Sequence, residues 1–217
     1  MKTKVCCITS REDANRAVQA GATAIGFASR TLGGPRAIED ERIREISRAV
    51  PSEISTFLLT SETDPDSIAE HQRETQTNTI QLVGEIDPSN VRALKQRLPH
   101  VALVKVIHVE GPESVDLAAA YVESADALLL DTKVRHREGD ALGGTGLTHD
   151  WSVSRRIVEQ SPVPVFLAGG LDPENVVAAI RAVEPFGVDV CSSLRRGGTL
   201  DPERVRDFVE RARSLAN

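Results

Sequence analysis

Two residues sit where an apolar strand ends and chemistry could begin. Cys6 lies in the run Lys4-Val5-Cys6-Cys7-Ile8-Thr9, and Asp131 closes Ala127-Leu128-Leu129-Leu130 just before Thr132. A carboxylate at the end of an apolar strand is costly unless it is paired or used. Period-2 alternation puts Lys4, Cys6 and Ile8 on one face and Val5, Cys7 and Thr9 on the other. An ammonium group needs a polar partner, which favours the Lys4 face as an interior holding other polar groups. A thiolate and a carboxylic acid that face each other suit proton transfer. One takes a carbon-bound proton, and the other donates to a leaving oxygen. Such a thiol needs its pKa lowered by a nearby cation or a helix N-terminus. Each residue alone also fits a plainer role, Cys6 as a small buried hydrophobe and Asp131 as a helix cap or ion-pair partner.

A second set of residues suits an anion. Ala168-Gly169-Gly170-Leu171 and Val190-Cys191-Ser192-Ser193, the latter followed by Arg195, Arg196 and Gly197, each come after a late strand. Glycine lets a backbone approach closely, and backbone N–H groups with serine hydroxyls cradle phosphate. Pro35-Arg36 follows the second strand, and a guanidinium grips a carboxylate with two prongs. Turn chemistry and solvated arginines are the plainer reading of these segments. Histidines 71, 100, 108, 136 and 149 lack ligand spacing, so no metal site is expected.

The elements that must position these residues alternate from end to end. Apolar runs of strand length begin near Lys4, Ala22, Glu53, Thr79, Ala102, Ala125, Val163 and Gly187. Amphipathic stretches of helical length follow, at Arg11–Ala20, Glu39–Val50, Pro88–Leu98, Glu113–Val122, Trp151–Gln160, Pro173–Val183 and Pro202–Leu215. Asp172-Pro173 and Asp201-Pro202 place an N-cap before a first-turn proline. Strict alternation implies parallel strands with right-handed crossovers. Roughly eight units of this kind predict a closed (β/α)8 (TIM) barrel with short loops, spanning residues 1–217 as one domain. An open doubly wound sheet has fewer strands, and the first unit carries no glycine-rich dinucleotide fingerprint. In a barrel, Cys6 and Asp131 sit at the catalytic rim, and the loops after strands seven and eight are where barrels often bind phosphate.

Composition narrows the function classes. The 217 residues carry a net charge of −6, with no basic patch of the kind nucleic-acid binding needs. Aromatics are 3%, so the core must come from Val, Ile, Leu and Ala, which suits a parallel sheet buried on both faces. Cys6, Cys7 and Cys191 form no disulfide framework, and alternation would point adjacent Cys6 and Cys7 apart. No signal peptide or membrane span is expected, so the chain reads as cytoplasmic, either monomer or homodimer.

Together these segments resemble the phosphoribosylanthranilate isomerase family, from Lys4 to Phe208. Lys4-Val5-Cys6 with Ile8-Thr9 is similar to the family's opening Lys-Ile-Cys-Gly-Ile-Thr. Gly26-Phe27 with Pro35-Arg36, Gln81-Leu82-Val83-Gly84, and Leu129-Leu130-Asp131-Thr132 resemble later family motifs. So do Gly143-Gly144-Thr145-Gly146 with Asp150-Trp151, Ala168-Gly169-Gly170-Leu171 with Pro173-Glu174-Asn175, and Val188-Asp189-Val190. The resemblance implies a cofactor-free Amadori rearrangement of a phosphorylated small molecule, N-(5-phosphoribosyl)anthranilate, in tryptophan biosynthesis. It implies that Asp131 is the general acid, Cys6 the general base, and Arg36 the holder of the anthranilate carboxylate. Gly169, Gly170, Ser192 and Ser193 would surround the phosphate. Lys4, Gln81, Gly144, Gly146 and Arg195 stand in or beside the matching motifs and are expected to contact substrate.

The chain departs from the family pattern mainly on the catalytic-face loops. Cys7 stands where the family has Gly, and its side chain is expected to face the helices. Val83 replaces His, Leu147 replaces Lys and His149 replaces Phe. Cys191-Ser192-Ser193-Leu194-Arg195 replaces Ser-Ser-Gly-Val-Glu. Three readings therefore stand: the family's isomerase, a relative using the same Cys6/Asp131 pair on another sugar derivative, or a sugar-phosphate-binding barrel without catalysis.

Overall fold

The computed structural model of the chain describes residues 1–132 and 148–215. Eight parallel strands form its centre: β1 (Lys2–Val5), β2 (Ala24–Ser29), β3 (Ser55–Thr60), β4 (Thr79–Leu82), β5 (Ala102–Val109), β6 (Ala127–Thr132), β7 (Val165–Leu167) and β8 (Gly187–Val190). β1 pairs with β2 on one side and with β8 on the other, which closes the barrel. A two-residue strand, Ala37–Ile38, adds to the rim of β2, and a small hairpin joins Arg195–Arg196 to Thr199–Leu200.

The helices among the described residues are α1 (Arg11–Gln19), α2 (Asp40–Ser47), α3 (Pro65–Thr75), α4 (Pro88–Arg97), α5 (Ser114–Ala119), α6 (Trp151–Gln160), α7 (Val176–Val183) and α8 (Pro202–Arg213). α3 is the helix that the sequence pattern leaves unnamed. Its start carries the same signal as α4 and α8, an Asp N-cap before a first-turn proline, with Asp64 accepting from the Ser67 N–H. α7 begins three residues later than Pro173. Asp172 and Asn175 exchange backbone-to-side-chain hydrogen bonds of 2.7 and 3.0 Å, and this turn occupies the segment before the helix.

Two apolar layers hold the fold. The larger lies between barrel and helices and includes Ile25, Leu58, Ile80, Leu128 and Phe208. The smaller fills the barrel with Cys6, Ala24, Phe57, Leu59, Val104, Val106, Ala127, Leu129, Phe166 and Ala168. Because β-strand side chains alternate, one set of positions serves each layer. Phe57 and Phe166 meet edge to face inside the barrel, with centroids 6.2 Å apart. No helix of the described residues is long and apolar enough to cross a membrane.

Leu129 is fully buried in the inner layer, where neighbouring strands limit collapse. Leu129→Ala should cost about 2–5 kcal/mol in urea unfolding, with the unfolding slope unchanged. A cost within experimental error of zero would show that the barrel interior is loosely filled.

Candidate active site

The floor of the site is a pair of charges inside the barrel. Lys4 points inward from β1 and is fully buried. Asp189 is its register partner on β8, and Lys4 Nζ lies 3.0 Å from Asp189 Oδ2. The ammonium has no aligned hydrogen-bond acceptor among the described residues, so the pair is an approach of opposite charges. Burial opposes the charge on Lys4, but Asp189 and Cys6 outweigh it and hold the ammonium protonated. Lys4 also lies 5.1 Å from the centre of the Phe57 ring. Sequence reasoning expects Lys4 to contact substrate; the structure places it fully buried, beside Asp189 and Cys6.

Cys6 sits directly above, 4% exposed. Gly26 on β2 makes the room for both groups. A Cβ there would stand 2.9 Å from Cys6 Sγ and 3.0 Å from Lys4 Nζ. A contact with Cys191 favours the Cys6 thiolate. A contact with Cys7 and burial outweigh it, so the thiol is held protonated well above its ordinary range, with Lys4 pulling the other way.

Asp131 ends the inner face of β6, three strands round the barrel from β1. Burial pushes its carboxyl up to about 6, Asp189 adds to that rise, and the Thr132 N–H, 2.8 Å from Oδ1, opposes it. Of two histidines that sequence reasoning set aside, one is paired in register with this acid and the other is bonded to its neighbour Thr132. His108 on β5 is the register partner of Asp131. His149 bridges Thr132 Oγ1 at 3.1 Å and Ser154 Oγ at 2.6 Å, and burial lowers it to about 4, so its imidazole is neutral. A search for metal-ligand spacing could not find them, since strand register brings His108 to the acid.

The three cysteines converge at the mouth instead of pointing apart. Cys7 has φ 58°, a left-handed conformation that costs a non-glycine residue about 1 kcal/mol. This explains why glycine stands there in the family. The turn breaks the strand's alternation, so Cys7 packs on the inner layer and Ile8 on the outer one, the reverse of the expected faces. All three thiols are free, and Cys7 and Cys191 touch Cys6. Arg36 reaches over them, with Nη1 3.6 Å from Cys191 Sγ.

Arg195, expected at the substrate, is committed to this turn. Its guanidinium donates to the Cys7 carbonyl, to Asp13 Oδ2 at 3.2 Å and to the Gly198 carbonyl at 2.9 Å. Arg195 and Asp13 are both nearly sealed from solvent, at 4% and 5% side-chain exposure. The guanidinium therefore clasps the loop below the mouth and does not face it.

The loops after β7 and β8 lie side by side. Gly169 has φ 82°, and a Cβ on it would fall 2.3 Å from Thr132 Oγ1, so only glycine fits. Ser193 Oγ donates to the Leu171 carbonyl at 2.6 Å and ties the two loops together. Gly170 and Ser192 are half-buried beside them. Gln81 is buried on β4 beside inward-facing Leu59 and Val104. Gly144 and Gly146 lie outside the described residues. A separate recess of about 550 Å³, lined by Arg30, Asp40, Glu62 and His71, shares none of these groups.

The raised Asp131 carboxyl makes a stability prediction. Its folded-state value exceeds that of an unfolded aspartate, so ionising it costs the folded state. That cost is absent below about pH 4 and is complete once the pH has risen through about 6. Asp131→Asn should therefore stabilise the chain by about 1–3 kcal/mol at about pH 8 and change little at about pH 4. A pH-independent difference in urea melts would contradict this.

Comparisons with known proteins agree with this geometry. The sequence profile of the N-(5'phosphoribosyl)anthranilate (PRA) isomerase family matches residues 3–211. An N-(5'-phosphoribosyl)anthranilate isomerase of Methanocella arvoryzae is 36% identical over 98% of this chain and 98% of its own length. N-(5'-phosphoribosyl)anthranilate isomerase 2 of Methanosarcina mazei is 38% identical over 99% of this chain and 95% of its own. Among solved structures, the phosphoribosyl anthranilate isomerase of Thermotoga maritima superposes with a TM-score of 0.85 at 31% identity, covering 99% of this chain and 100% of that one. A barrel closed by β1, a thiol and a carboxyl at its inner rim, and matches over nearly the full chain make this protein a member of the PRA isomerase family.

Proposed function

We infer that the chain catalyses the family's Amadori rearrangement, converting N-(5-phosphoribosyl)anthranilate to its 1-deoxyribulose 5-phosphate isomer. The observation that carries this reading is the pairing of Cys6 and Asp131 on the inner rim above a buried charge pair. A related isomerase structure holds reduced 1-(o-carboxyphenylamino)-1-deoxyribulose 5-phosphate, an analogue of that product.

The chemistry moves protons and electron pairs within one molecule. Asp131 gives its proton to the furanose ring oxygen. The C1–O bond breaks, and the anilino nitrogen's lone pair forms a C=N bond to C1. Cys6, as thiolate, takes the proton from C2, and the C2–H electrons form a C1=C2 bond as the C=N pair returns to nitrogen. Ketonisation of the resulting enol puts a proton on C1 and leaves the ketone at C2. No electrons leave the molecule, so no redox cofactor is required. Arg36 holds the anthranilate carboxylate, and Gly169, Gly170, Ser192 and Ser193 surround the phosphate with N–H and O–H donors. Gln81 lies deeper and lines the floor.

The reacting form carries a thiolate and a protonated carboxyl. The resting form carries a thiol and, near neutrality, mostly a carboxylate. These two forms hold the same number of protons, so their ratio does not vary with pH between the two titrations. kcat/KM should therefore rise with pH through about 6, as the doubly protonated form disappears, and stay level until the thiol titrates. A profile that falls as pH rises through that value would contradict this proton placement.

The direct test is turnover of freshly generated phosphoribosylanthranilate by the purified protein, followed as loss of anthranilate-type fluorescence. Cys6→Ala and Asp131→Asn should each lower kcat by about 10²–10⁴ while the fold persists. No turnover by the folded wild-type chain would favour another sugar derivative as substrate. Phosphate binding with no turnover of any sugar phosphate would favour a binding protein.

A further inference from the structure

The reaction as written leaves the Lys4–Asp189 pair without a role, although it lies beside both reacting groups. A buried ion pair gives little stability over apolar side chains of similar volume. Its placement is therefore informative. Lys4 Nζ and Cys6 Sγ flank the same point, 3.0 and 2.9 Å from where a Gly26 Cβ would be, so they are less than about 6 Å apart. That is the range in which one charge controls the ionisation of another. On the other side, Leu130 pairs with Leu167, and Leu167 with Val188. Asp131, Ala168 and Asp189, one residue further along each, therefore form a row across β6, the end of β7 and β8. Ala168 is the only side chain between the two carboxyls in that row, and it is small.

We propose that the Lys4–Asp189 pair is a positioning device that sets the charge of both reacting groups, its ammonium favouring the Cys6 thiolate and its carboxylate favouring the protonated Asp131. The pair is oriented across the barrel floor, positive end towards the base and negative end towards the acid. Each end opposes the resting proton placement. Lys4 works against the rise of the Cys6 thiol, and Asp189 adds to the rise of the Asp131 carboxyl by more than Lys4 takes away. Other groups face the same two sites. Cys7, Cys191 and, through Cys191, Arg36 surround Cys6. His108 and the Thr132–His149 link stand beside Asp131. Among the described inner-face residues, only Lys4 and Asp189 form an ion pair beside both groups. This inference rests on the assignment of Cys6 as base and Asp131 as acid.

The test removes both charges together, as Lys4→Met with Asp189→Asn, so that neither is left buried alone. Cys6 is made the sole thiol by Cys7→Gly and Cys191→Ser, and its ionisation is read from thiolate ultraviolet absorbance against pH, with no substrate present. The thiolate midpoint should rise by about one pH unit or more when the pair is removed. In kinetics, the two limbs of the kcat/KM profile should move apart and the plateau should fall about tenfold for each unit of widening. Lys4→Met alone, which removes the ammonium and leaves Asp189 free to take up a proton, should likewise raise the thiolate midpoint. It serves as the second test if the double variant does not fold. Lys4→Arg, which keeps the charge, should retain most of the plateau. An unchanged thiolate midpoint in a folded variant overturns the proposal. Because that titration uses no substrate, it reads the device even if phosphoribosylanthranilate proved not to be turned over.

Discussion

Closing eight parallel strands creates an interior without bulk water, and this chain places a lysine ammonium there. That placement constrains its neighbours. A charge in such a site needs an opposite charge beside it, and Asp189 is the residue that β8 register brings to 3.0 Å. Removing one partner alone would leave an uncompensated charge, a loss of about 3–5 kcal/mol. Gly26 must then be small, because a side chain there would meet both Lys4 and Cys6. Phe57 closes the same layer by lying under the ammonium. Cys6 and Asp131, the proposed base and acid, stand close to this pair, so its charge reaches them across little more than side-chain contact.

Above the floor, three departures from the family pattern, Cys7, Cys191 and Arg195, meet at one turn. Cys7 takes a left-handed conformation where the family has glycine, and that conformation needs support. Arg195, where the family has glutamate, provides it by donating to the Cys7 carbonyl while paired to buried Asp13. Cys191 packs with Cys7 against the same inner layer as Cys6, within reach of Arg36. The changes therefore remodel the wall of the mouth while Cys6, Asp131 and Arg36 keep their places.

The barrel was legible in the sequence because its cause is local. Alternating apolar runs and amphipathic stretches, with Asp-Pro helix starts, follow from burying each strand on two faces and each helix on one. The placement of Cys6 and Asp131 at the inner rim was legible for a related reason: a thiol or carboxyl ending an apolar strand is conspicuous. Strand β1 misled where a single φ angle reset the alternation, since no pattern of apolar residues reports a left-handed Cys7. Arg195 misled because its partner Asp13 is 182 residues away. His108 escaped notice for the same kind of reason, since only the pairing of β5 with β6 brings it to Asp131. Long-range register and backbone strain were the parts that sequence patterns do not encode.

The account stands on Cys6 and Asp131 acting on one molecule held across the mouth. A crystal structure of this chain with a stable reduced analogue of the rearranged product tests that most directly. The account predicts the Asp131 carboxyl within hydrogen-bond reach, about 3 Å, of the oxygen that was in the furanose ring. It also predicts Cys6 Sγ over C2, with the phosphate in the loops after β7 and β8. An analogue bound with C2 facing any other group, or with Asp131 turned from that oxygen, would contradict it.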